Sequence, residues 1–233
     1  MNANADNSGG DDGGDDDGDD GGGGEHDPAL LRAVESVHAT LCEYYRIETQ
    51  LAIGRFLKHG ELGSREVLLL RQRADELELC LMFPPDIALD KAFADSLGRP
   101  ATLSNTEPGD TEPSDTLLQI VEGTSHFLFV VERARIGLPT TQLELELQAE
   151  VDKFVVLSRT RRAAGLRALH SRLYERVHFL HDASTEAGAR YRLANQLAAR
   201  FVHRHLARDL AAQQATFRRF HRAGQAEKIR LAS

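Results

Sequence analysis

The sequence contains no tryptophan and only two cysteines, Cys42 and Cys80, neither in a Cys-x-x-Cys or comparable spacing. That pattern excludes a disulfide framework and a zinc ribbon, and reduced thiols are expected. Long apolar runs are missing as well, since none exceeds five residues. A bilayer span needs about 20, and the N-terminus lacks the basic region and apolar core of a secretion signal. No membrane partner is expected, and a cytoplasmic location is the default. Lysine is scarce, four residues against 24 arginines. This bias suits bidentate phosphate contacts, although an Arg- and Ala-rich proteome would supply it equally.

Basic residues are absent altogether from residues 1–27, which hold ten Asp and Glu among long glycine runs (GGDDGGDDDGDDGGGG). Such a stretch has almost nothing to bury and repels itself, so a disordered tail is expected. It is not a calcium loop, because the fixed acidic spacing and closing Glu are missing. Without the tail the formal charge of −8 becomes about +2, and that balance hides a division. Residues 28–158 carry 12 basic against 21 acidic side chains, whereas residues 159–233 carry 16 against five. The two halves can dock on each other, or the basic half can meet an outside anion such as a nucleic acid or a phosphorylated partner.

What remains is mostly helical periodicity. Leu30, Leu31, Val34, Val37, Leu41 and Tyr45 recur at helix spacing after Pro28. Residues 47–57 fit either a strand or a continuation of that helix. EVLLLRQ and ELELCLMF alternate with period two and are joined by RAD, which predicts a hairpin with Leu77, Leu79, Leu81 and Phe83 inward and Glu76, Glu78 and Cys80 outward. A short helix is expected over 86–97 and a mobile loop over the proline-containing stretch that follows. Ser114 or Asp115 can cap a helix to Arg135, which Gly137 terminates. Thr141 and Glu144 have capping-box spacing before a seam of Leu143, Leu147, Val151 and Phe154, so these two helices should pair antiparallel. Leu166, Leu169, Leu173, Val177 and Leu180 predict a helix over 165–181. Ser184 should cap another with Leu193, Ala194, Leu197 and Phe201 inward, and Phe217 and Phe220 mark a last one. The fold class is therefore mostly α (α+β). The expected order is a tail over 1–27, a helix and β-hairpin unit over 28–99, a loop over 100–115 and a bundle of the later helices over 116–233.

The residues that could carry chemistry centre on EGTSHFLFVVERA at 122–134. Glu122, His126, Phe129 and Arg133 form one stripe on a helix that is apolar all round at FLFVV. A buried imidazole needs partners, and Glu122 one turn earlier can supply one. Further ligands would have to come from LHSRLYERVHFLHD, where His170, Tyr174 and His181 flank the apolar face of their helix. Imidazole and carboxylate together suit zinc, iron or manganese. The candidate binding residues are thus Glu122, His126, Arg133, His170, Tyr174 and His181. Arg200, Arg204 and Arg208, one helical turn apart, are the candidate anion-binding set, solvated or paired with Glu144, Glu146 and Glu150.

Other templates fail. Glu35-x-x-His38 and Glu175-x-x-His178 match the di-iron spacing, but roughly one such pair arises by chance at this composition, and Glu175 points away from the apolar face. Dinucleotide, P-loop and nucleophile-elbow motifs are missing. No cofactor is predicted beyond the possible divalent metal, and no catalytic residue is assigned. The reading is a non-enzymatic helical module for protein interaction or regulation. A metal-dependent enzyme with a His/Glu site between helices and a nucleic-acid binder using the basic C-terminal helices are the competing classes.

Overall fold

The computed structural model describes residues 27–60, 65–73, 76–85, 87, 114–159 and 165–233. Residues 1–26 of the expected tail, most of the expected helix over 86–97 and residues 100–113 of the expected loop over 100–115 lie outside them. Asp27 is described, and it belongs to the first helix: its Oδ1 accepts from the Ala29 N–H at 2.8 Å. Among the described residues the order is α1 (Pro28–Tyr45), a 3-10 turn (Ile53–Phe56), β1 (Leu57–His59), β2 (Val67–Arg73), β3 (Glu76–Phe83), α2 (Asp115–Arg135), α3 (Gln142–Ser158), α4 (Leu166–Tyr174), α5 (Glu186–His205), α6 (Leu210–Arg222) and α7 (Gln225–Ala232).

Local signals set most of these borders. Ser114 Oγ accepts from the Leu117 N–H, Thr141 closes a reciprocal capping box with Glu144, and Gly137 ends the α2 turn at φ 66°. The hairpin forms as its alternation requires, β2 antiparallel to β3 from Val67↔Met82 to Arg73↔Glu76, with Leu81 and Phe83 buried. The ambiguous stretch at 47–57 is neither a full strand nor more helix. Arg46 adopts φ 56°, ψ 51° and stops α1, and after the 3-10 turn Leu57–His59 adds a short strand parallel to β3. The hairpin is therefore part of a three-stranded sheet in the order β1-β3-β2.

Three further expectations change. The helix through 165–181 ends at Tyr174, leaving Leu180 70% exposed and His178 and His181 outside any helix. Apolar spacing continues there, but Ser171 Oγ donates to Glu175 at 2.7 Å, and Asp182 makes a turn by accepting from the Ser184 N–H and hydroxyl. Side-chain bonds of this kind compete with helix propagation. The cap of α5 is accordingly Thr185, one residue after Ser184, and Leu193 faces outward while Ala194, Leu197 and Phe201 are buried. The last helix is also not the one holding Phe217 and Phe220: α7 follows it and closes the chain.

α3 is the centre of the molecule. It pairs with α2 and is also packed by α5, α4, α1 and α7, so its predicted seam of Leu147, Val151 and Phe154 is buried together with Gln148, Asp152 and Lys153 on its other faces. The sheet joins this core through α2 at Gly123. A Cβ there would stand 3.0 Å from Leu81 Cδ1 and 3.2 Å from Glu66 Cγ and Phe83 Cζ, so a larger residue would push these side chains back by a few tenths of an ångström. Leu30 to Tyr45, the strands and the later helices share one hydrophobic core.

Candidate functional site

The stripe on α2 is divided by what packs against it. Glu122 is buried, and its carboxylate meets Lys153 Nζ at 2.9 Å and Arg65 Nη2 at 3.1 Å. Lys153 also reaches Glu150 at 2.7 Å, and Glu150 in turn accepts from Asn195 on α5. Burial opposes ionisation of Glu122, but the charges of Lys153, His126 and Arg65 overcome it and take the carboxyl down to about 2. Burial raises Glu66 to about 8, and the charge of Glu122 adds to the effect. His126 is half-buried. The expected hydrogen bond between His126 and Glu122 is not formed: the carboxylate is held by Lys153 of α3 and by Arg65, which precedes β2. The Nε2 atom of His126 has no hydrogen-bond partner, and burial lowers its pKa.

The remaining candidates lie apart. Arg133, at the far end of α2, donates to Pro139 O and to Glu144 at 3.0 Å and lies over the Phe129 ring. His170 and Tyr174 come together on α4, ring centroids 5.0 Å apart, but each has a main-chain partner: His170 Nε2 lies 3.0 Å from Ala199 O, and Tyr174 donates to Glu150 O. His181 is exposed and stacks on Tyr191. Among the described residues no group of three or more His, Cys, Asp or Glu is placed to hold a metal ion.

The arginine row also separates. α5 stops at His205, so Arg208 lies beyond the helix, and Arg204 donates to Leu231 O and Ser233 O, holding the end of α7. Glu144, Glu146 and Glu150 pair instead with Arg133, Arg190 and Lys153.

A second polar cluster went unread in the sequence. Asp152 on α3 is fully enclosed and accepts from Tyr45 of α1, from Ser125 Oγ of α2 at 2.6 Å and from Gln148 Nε2 at 2.9 Å. Lys228 on α7 donates to Gln148 Oε1 and has no exposed surface. Its ammonium lies 4.7 Å from the Phe129 ring centroid and 4.4 Å from that of Phe220. His221 stacks on Tyr45 at 4.3 Å. Burial sets the direction of every shift. Asp152 rises to about 6 in spite of its three donors, Lys228 falls to about 7, and His221 falls well below its usual value. The available signal was the i,i+4 pair Gln148 and Asp152 on a helix with apolar neighbours, together with Ser125 on a helix whose surroundings leave little room for water. Nothing local marked Lys228.

Compared with protein-family models, curated proteins and solved structures, the chain matches none of them. No described helix is long and apolar enough to cross a membrane.

Proposed function

We propose that this protein is a non-enzymatic helical module that binds or regulates another macromolecule, and that the partner is a protein. The observation that carries the reading is where the perturbed ionisable groups are used. Asp152, Lys228, Glu122 and Lys153 are all buried and engaged with side chains of neighbouring elements. They join α1, α2, α3, α7 and the segment that leads into β2, a use that ties them to the packing of the fold. The surface by contrast keeps the charge division of the sequence, which favours contact with a charged partner.

The competing class is a metal-dependent enzyme using Glu122, His126, His170 and His181. Elemental analysis of protein purified without an affinity tag separates the two. The expected outcome is only trace zinc, iron or manganese. Retention of about one equivalent through dialysis would overturn the non-enzymatic reading, since a formed site holds its ion.

A further inference from the structure

Two depressions adjoin where the end of α1 meets α6, with volumes of about 530 and 410 Å³. They share Arg46 and Arg222. Arg218, Arg219 and Glu227 line the first, while Arg135, Glu48 and Glu132 line the second. Most of these arginines have partners. Arg218 Nε donates to Tyr44 O at 2.7 Å, Arg219 meets Glu227 at 2.7 Å, and Arg135 meets Glu132 at 3.3 Å. Glu227 is itself shared with Arg230. Arg46 and Arg222 differ: both are exposed, and neither guanidinium has a partner among the described residues. Arg46 is also the one described non-glycine residue with positive φ. It occupies a helix C-cap position that glycine fills without strain. Glycine would carry less strain there, and a left-handed charged residue at a cleft motivates a contact role for its side chain.

We infer that Arg46 and Arg222, flanked by Arg218 and Arg219, bind a single phosphomonoester dianion carried on a segment of a partner protein. Planar guanidinium forks match phosphate oxygens two at a time. The first depression sets four of them against one carboxylate that two arginines already neutralise. A nucleic acid fits less well. Among the described residues the one ring lining either depression is the buried imidazole of His221, which offers bases no stacking platform. Glu48 and Glu132 beside the arginine pair would repel the next phosphate of a polymer. The protein partner rests on the interaction-module reading, whereas the anion site itself does not.

The test titrates the full chain with a glycine-flanked phosphoserine peptide, its unphosphorylated twin, inorganic phosphate and a short thymidine oligonucleotide. The phosphopeptide should bind about tenfold or more tighter than its twin, and inorganic phosphate should compete with it. Arg46→Gly and Arg222→Gln should each weaken phosphopeptide binding about fivefold or more. Because Arg46→Gly relieves a left-handed residue, its thermal midpoint should hold or rise, which separates lost contact from lost fold. Equal binding of the two peptides, or undiminished affinity in the double variant, overturns the site. An oligonucleotide that binds tighter than the phosphopeptide through the same arginines overturns the single-dianion reading. A stoichiometric metal would remove the module reading and leave these binding results standing.

Discussion

Lys228 is the residue at which packing and charge conflict most directly. Its stem and ammonium lie between Phe129 and Phe220 with one amide oxygen as hydrogen-bond acceptor, and burial moves its pKa from 10.5 to about 7. A lowered pKa means that the folded state disfavours the proton. The contribution of this group is fully favourable above pH 10.5 and is lost as pH falls through about 7. Wild type should therefore gain stability relative to Lys228→Met between pH 7 and pH 9, measured as the difference in urea unfolding free energy, and equal slopes would refute the assignment. Asp152 lies below this window in wild type, and loss of the Lys228 charge raises it in the variant, which moves the difference in the same direction. Glu66 acts in the opposite sense. Its raised pKa contributes stability that is present below 4.5 and lost as pH rises through about 8, and this term is the same in both proteins being compared.

At the scale of elements, the α2–α3 connection concentrates several devices in the twelve residues from Arg133 to Glu144. Arg133 reaches back to Pro139 O and across to Glu144, while Glu144 completes the capping box with Thr141. Thr141 Oγ1 also lies 2.7 Å from Gln225 Oε1, so the start of α3 is tied to the start of α7. Thr141→Ala removes the cap and that tie together. We expect a loss of about 1–2 kcal/mol in urea unfolding. Protection of α7 amides from hydrogen exchange should fall by more than that of α4; a uniform loss would mean that the α7 contact contributes nothing. α4 itself shows how an element can stop early. Its apolar period continues to Leu180, but Tyr174 is anchored on Glu150 O, and the chain must turn so that α5 can cover α3.

Over the whole molecule, the charge division is only partly settled by internal pairs. Arg190 with Glu146 and Arg159 with Glu43 bridge the two halves, yet Arg46, Arg200, Arg208 and Arg222 remain exposed. Residues 1–26 carry nine Asp and Glu and no Lys or Arg, a source of counter-charge within the chain. α1 places Asp27 about 27 Å from Arg46, at 1.5 Å per residue. A 26-residue segment can span up to about 90 Å when extended. We expect removal of residues 1–26, with Asp27 kept as the α1 cap, to tighten binding of an inorganic polyphosphate at low salt. The difference should fade as ionic strength shortens the screening length to about 10 Å at 0.1 M. Unchanged affinity on deletion would show that the tail does not compete for the basic surface.

The caps at Ser114 and Thr141, the left-handed Gly137 and the alternation of Glu76 to Phe83 were legible in the sequence because each depends on atoms within a few residues. The helical class followed from the same local patterns. Tertiary structure alone decided that Leu57–His59 pairs with β3 and that Glu122 takes Lys153 and Arg65 in place of His126. It also decided that Asp152 and Lys228 share one buried network and that Arg46 and Arg222 line one cleft. Those outcomes depend on which elements surround α3. A polar side chain on a helix reads as solvated until neighbours on every side remove the water, and partners 76 or 176 positions away in the chain leave no periodic trace.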